Sequence, residues 1–160
     1  MKQFAKSLKN LLEIFFSWLS LLVIAGMLLI TTGQIFLRNF FGINLNIASE
    51  IARQGLIWLT FTGGILATLH SKHIAIDLAS RLLHGKIRKA LGTLLNLSAA
   101  AISFFMAYYA FNFVKMEYEF AGTIADVIPV WTIQVIIPIG FFFIALSFLL
   151  NIFSEEELQA

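Results

Sequence analysis

IFFSWLSLLVIAGMLLITTGQIFL, residues 14–37, lies between Glu13 and Arg38 and contains no Asp, Glu, Lys or Arg in its 24 residues. As a helix rising 1.5 Å per residue it would be about 36 Å long, enough to cross ~30 Å of hydrocarbon. Three more stretches share this freedom from charge. They are 18 residues between Arg53 and Lys72, 25 between Lys89 and Lys115, and 28 between Asp126 and Glu155. The second only just reaches. None shows the alternation of apolar and polar residues that marks a membrane β-strand. The pattern predicts an all-α integral membrane protein: one membrane domain, residues 1–160, with four transmembrane helices over about 14–37, 54–71, 90–114 and 127–153.

The composition agrees. Of 160 residues, 59% are hydrophobic and 12% charged, against about 25% charged in a typical soluble domain. A soluble core of this size cannot hide so much apolar surface. That excludes a soluble enzyme or a nucleic-acid-binding module, and disorder fails for want of polarity. The chain has no Cys, which removes disulfides and thiolate metal sites. Lys2, Lys6 and Lys9 precede the first stretch as they would a secretory signal. The apolar run is too long for one, and no small-x-small cleavage site follows, so the stretch is kept as a helix.

Lys and Arg near span ends set orientation. Lys2, Lys6, Lys9, Lys72, Arg81, Lys86, Arg88 and Lys89 fall on one side, and Arg38, Arg53 and Lys115 on the other. Both termini are therefore expected in the cytoplasm. Residues 4–15 and 72–89 mix charge with apolar residues at helical spacing, which predicts short amphipathic helices against the membrane lipid.

Several residues stand out as candidate sites. Arg38, Glu50 and Arg53 gather at the expected periplasmic ends of spans 1 and 2, either as an ion pair within that connection or as docking contacts for a partner. Thr60 with Gly64, and Gly63 with Ala67, set small residues four apart, which lets membrane helices approach closely. That face either packs the protein's own helices or meets another subunit. His73 and Asp77 read as residues of a cytoplasmic interfacial turn. His70, His73 and Asp77 would share one helical face, but three ligands beside Lys72 and Arg81 make a poor metal site. Asp126 is expected to cap span 4, with Pro129 in its first turn. Pro138 should kink that span and free the carbonyl of Gln134. No catalytic, cofactor-binding or metal-binding residue is assigned.

The spans hold no Asp, Glu, Lys or Arg, the residues that usually mark ion or proton pathways in membranes. The chain therefore reads as an accessory or scaffold subunit. The rivals are an autonomous small four-helix carrier, which would need a carboxylate within the membrane, and an accessory subunit of another membrane complex.

Ser49-Glu50-Ile51-Ala52-Arg53, then Trp58, Gly63-Gly64 and His73-Ile74-Ala75-Ile76-Asp77, occur in an order and spacing that carry a resemblance. It extends upstream to Gln34–Arg38 and downstream to Val127–Trp131 and Pro138–Gly140, about residues 10–150. Over this length the chain resembles the small membrane (Q-type) subunit of tripartite ATP-independent periplasmic (TRAP) transporters. The family often has two successive acids where Ser49-Glu50 stands, and Trp where Ile47 stands. The resemblance implies residence in a bacterial inner (cytoplasmic) membrane, no enzymatic activity and no cofactor. It implies a large permease subunit and a periplasmic substrate-binding protein as partners, with sodium-driven import of a carboxylate such as sialic acid or a C4-dicarboxylate. The small subunit would scaffold the large one, with docking of the binding protein as a further expectation.

Overall fold

The computed structural model describes residues 2–42, 46–70, 86–124 and 128–154. Helix α1 runs Lys2–Phe41, α2 Asn46–Leu69 and α3 Lys86–Phe120. A two-stranded antiparallel pair follows, β1 (Thr123–Ile124) and β2 (Ile128–Pro129), with Thr123 opposite Pro129. Helices α4 (Val130–Gln134) and α5 (Ile136–Ser154) follow.

Residues 2–25 contain neither Gly nor Pro, so nothing interrupts α1 before Gly26. The amphipathic lead-in expected at residues 4–15 is therefore no separate surface helix. It is the first part of one 40-residue helix, and Leu12 and Phe16 are buried against α2 and α5. Helix α1 stops at Gly42, whose φ of 67° is left-handed and whose N–H donates to Arg38 O at 3.2 Å. This is the usual glycine termination of a helix. Helix α3 ends the same way at Ala121, φ 49°, without the benefit of glycine.

Among the described residues three segments are long and apolar enough to cross a membrane: Lys6–Phe41, Ala90–Phe120 and Val130–Ile152. Helix α2 is not among them. Its 24 residues include Glu50, Arg53, Thr60, Thr62 and Thr68, which lower its apolar content despite a length of about 36 Å.

Helices α1, α2 and α5 pack on one another, and α3 packs against α5 and α4. The core lies where the first three meet. Ile65 and Leu69 of α2, Leu12 and Phe16 of α1, and Leu150 of α5 are buried together. The Phe16 and Phe143 rings meet edge-on, 5.1 Å between centroids. The end of the bundle holding Lys9, His70 and Asn151 is called the near end below, and the end holding Gly42 and β1–β2 the far end.

The expected place of Pro129 in span 4 is corrected. Pro129 is not in the first helical turn. It is the residue before it, extended at φ −60°, ψ 128°, and paired in the strand. The helix begins at Val130, and among the described residues no side chain caps it. Asp126 lies outside the described residues, as do His73, Asp77 and the connection expected to lie flat on the membrane.

Candidate functional site

The polar chemistry of the bundle concentrates at its near end. The last four carbonyls of a helix have no partner within it. Helix α2 ends at Leu69, which leaves the buried Thr68 carbonyl to be satisfied from outside. Asn151 of α5, itself 2% exposed, donates Nδ2–H to it at 2.6 Å. The Asn151 Oδ1 accepts from Lys9 Nζ of α1 at 3.1 Å. One amide thus joins three helices.

Beside it, His70 sits 2.8 Å from Leu66 O through Nδ1 and 2.7 Å from Glu13 Oε1 through Nε2. An N–H at Nδ1 donates to the carbonyl and an N–H at Nε2 to the carboxylate, each in its own tautomer of the ring. Both side chains are well exposed, so in water such a pair contributes only ~0–1 kcal/mol. Its role is to register α1 against the end of α2.

Towards the far end the helices approach through glycines. A Cβ on Gly140 would lie 2.3 Å from the Phe61 ring, and one on Gly55 2.8 Å from the Met27 side chain. The helical hydrogen-bond ladder breaks at Pro138, which has no N–H to offer Gln134 O, while Val135 keeps helical dihedrals and donates to Trp131 O at 3.1 Å. Trp58 Nε1–H donates to Ile133 O at 3.0 Å beside this break. The side-chain carbonyls of Gln54 and Gln134 are buried there without a partner among the described residues.

The small-residue face of α2 divides. Gly64 packs 3.5 Å from Ile144 of α5, measured from a Cβ placed on it, whereas Thr60, Gly63 and Ala67 are exposed. The side of α2 that faces its own bundle is instead the Thr62–Ile65–Leu69 side. At the far end Arg38 and Arg53 are exposed and Glu50 is half-buried. Among the described residues no ion pair joins these three.

The outer surfaces of α1 and α3 are mostly apolar, with Leu29 75% and Phe104 61% exposed. Taken with the long uncharged segments, this is the surface of a protein that lives among lipid tails and other membrane helices. The family model for the tripartite ATP-independent periplasmic transporters, DctQ component, matches residues 27–157. The chain belongs to the DctQ family.

A relative of the family is the ectoine TRAP transporter small permease protein TeaB of Halomonas elongata. It is 28% identical over 135 residues, which cover 81% of this chain and 69% of that one. No solved structure matches the chain. The DctQ family is one of transporter components, so the near-end cluster is read as a helix-joining site rather than a catalytic one. Sequence reasoning missed Lys9, Glu13 and Asn151. The available signal was an Asn close to the end of span 4, on the side where Lys9 and Glu13 precede span 1.

Proposed function

We propose that this protein is the small membrane subunit of a TRAP transporter, a scaffold that packs against a large permease subunit in a bacterial inner membrane. The observation that carries the reading is the family match across residues 27–157. The absence of Asp, Glu, Lys and Arg from the long apolar stretches supports a non-conducting role. Helix α2 serves as the fourth span, and both termini lie in the cytoplasm, as the distribution of Lys and Arg favours. The near end is then the cytoplasmic end, and Arg38, Glu50 and Arg53 face the periplasm, available to the large subunit or to the substrate-binding protein. Transport is driven by sodium. The solute bears a carboxylate and is recognised by the partners. The relative's name gives ectoine, so sialic acid and C4-dicarboxylates are only two of the solutes to test.

On this reading the outward stripe Thr60–Gly63–Ala67 is a contact surface for the large subunit, since small residues permit close approach. Co-expression with the large permease subunit and affinity purification through this chain tests both points. The two should co-purify. Gly63→Leu should break the complex, while Gly63→Ala, with open space around its Cβ, should leave the isolated chain folded. Failure of the wild-type chain to retain the large subunit would overturn the scaffold reading. Retention by Gly63→Leu would remove the stripe from the interface.

A further inference from the structure

An open apolar groove of about 490 Å³ runs between α3 and α5. Ala100 and Ala101 of α3 and Ala145 of α5 contribute small side chains to it, Phe104 and Phe105 flank them, and Tyr108 lies along its edge. Small residues in such a position let another backbone come close.

Polar atoms on this side of α3 distinguish a protein occupant from a lipid chain. Tyr118 stacks edge-on with Trp131 at the far end, centroids 5.4 Å apart, where such aromatics mark the membrane interface. Tyr108 precedes Tyr118 by ten residues, or about 15 Å along the axis. Lys115, exposed, closes the charge-free span, and Tyr108 lies seven residues before it, about 10 Å inside the hydrocarbon. Side chains on a helix tilt towards its N-terminus, which for α3 is the near end. The Tyr108 phenol therefore leans away from the interface marked by Tyr118, not towards it. Tyr108 is 60% exposed, and Asn112, one turn further on, is exposed too.

Ser98 on the same helix satisfies its hydroxyl on its own Leu95 carbonyl at 2.9 Å. A phenol is too long to fold back in that way. Among the described residues neither the Tyr108 hydroxyl nor the Asn112 amide has a hydrogen-bond partner. Acyl chains offer none, and a polar group left unmet in hydrocarbon is costly.

We infer that the α3–α5 groove seats a transmembrane helix of the large permease subunit, which presents hydrogen-bonding groups to Tyr108 and Asn112. The inference rests on the reading of this chain as a small permease subunit and names a second face that its partner uses. The test places a benzoylphenylalanine photo-crosslinker at Phe105, which lies in the groove and is 56% exposed, with both subunits co-expressed in the membrane. Light should join this chain to the large subunit. A crosslink between two copies of this chain would overturn the inference in favour of self-association. So would the absence of any protein crosslink while the two subunits still co-purify, since the groove would then face lipid. Loss of co-purification itself would refute the scaffold reading and this one together. Tyr108→Phe combined with Asn112→Leu keeps the apolar bulk, and should weaken the complex about threefold to tenfold in detergent. Unchanged association of that variant would refute the polar contact.

Discussion

Replacing Asn151 with Leu should destabilise the bundle by about 2–4 kcal/mol. Asn151 is 2% exposed and makes two bonds: Nδ2–H to Thr68 O at 2.6 Å, and Oδ1 from Lys9 Nζ at 3.1 Å. Leu fills nearly the same volume, so little of the loss comes from a cavity. The larger part is the Thr68 carbonyl. The Thr68 residue is 3% exposed, and a buried acceptor stripped of its donor costs ~1–3 kcal/mol. The bond from the lysine adds about 1 kcal/mol, less than the full value for a charged donor because the site is only partly buried. Asn151→Asp separates the two halves. It keeps an acceptor for Lys9 but sets an oxygen against Thr68 O, so it should be destabilised as well. Lys9→Met, which leaves the Thr68 bond intact, should lose only about 1 kcal/mol. Thermal unfolding of the purified chain in detergent reads all three, with roughly 2–4 °C expected per kcal/mol for a chain of this size. Asn151→Leu as stable as wild type, or Lys9→Met the most damaging of the three, would refute the assignment of the Thr68 carbonyl as the main dependent of Asn151.

Gly140→Ala should lose about 1–3 kcal/mol, because the new Cβ meets Phe61 Cδ1, Cγ and Cβ at 2.3–2.8 Å and the clash reaches close to the α2 backbone; an unchanged unfolding temperature would show that α2 and α5 cross less closely. Ala121→Gly should gain about 0.5–1 kcal/mol, because Ala121 holds φ 49° where glycine is relieved of the Cβ penalty; a loss of stability in the same assay would contradict that account.

Where apolar helices lie was legible from the charge-free stretches, although the helices run past the flanking charges, α1 from Lys2 to Phe41 and α3 from Lys86 to Phe120. Glu13, Arg38, Lys89 and Lys115 bracket segments that the structure builds as helix. What periodicity does not reveal is which neighbour a face meets. Thr60, Gly63, Gly64 and Ala67 share the small-residue spacing of a packing surface, yet only Gly64 turns to α5. The remaining three sit on the outward side, because the Thr62–Ile65–Leu69 side carries the bulk that fills the core. The near-end cluster was hidden for a related reason. Lys9 read as one of the lysines before span 1, and Glu13 as the limit of that span, until α1 is seen to continue unbroken past the end of α2, which brings them to Asn151 and His70. The β1–β2 pair was also missed. Its signal, β-branched Thr123, Ile124 and Ile128 after Gly122, is brief and lies beside a proline that drew attention to the following helix.

Helix α2 shows how a hydropathy sum and a structure assign different costs to the same residues. The sum charges α2 for three threonines as if each hydroxyl entered lipid unpaired. In the structure each is bonded along its own helix: Thr60 Oγ1 to Leu56 O at 2.8 Å, Thr62 to Trp58 O at 2.9 Å and Thr68 to Gly64 O at 2.8 Å. Trp58 sends its indole N–H to Ile133 O. The transfer penalty for these donors is thus largely met before the helix enters a bilayer. The charges Glu50 and Arg53 lie in its first two turns, where a span begins at the interface. Position, internal bonding and the cover given by α1 and α5 together allow a helix of modest hydropathy to serve as the proposed fourth span. They also explain why its outward face can be small and weakly apolar: on the proposed function, that face meets protein instead of lipid.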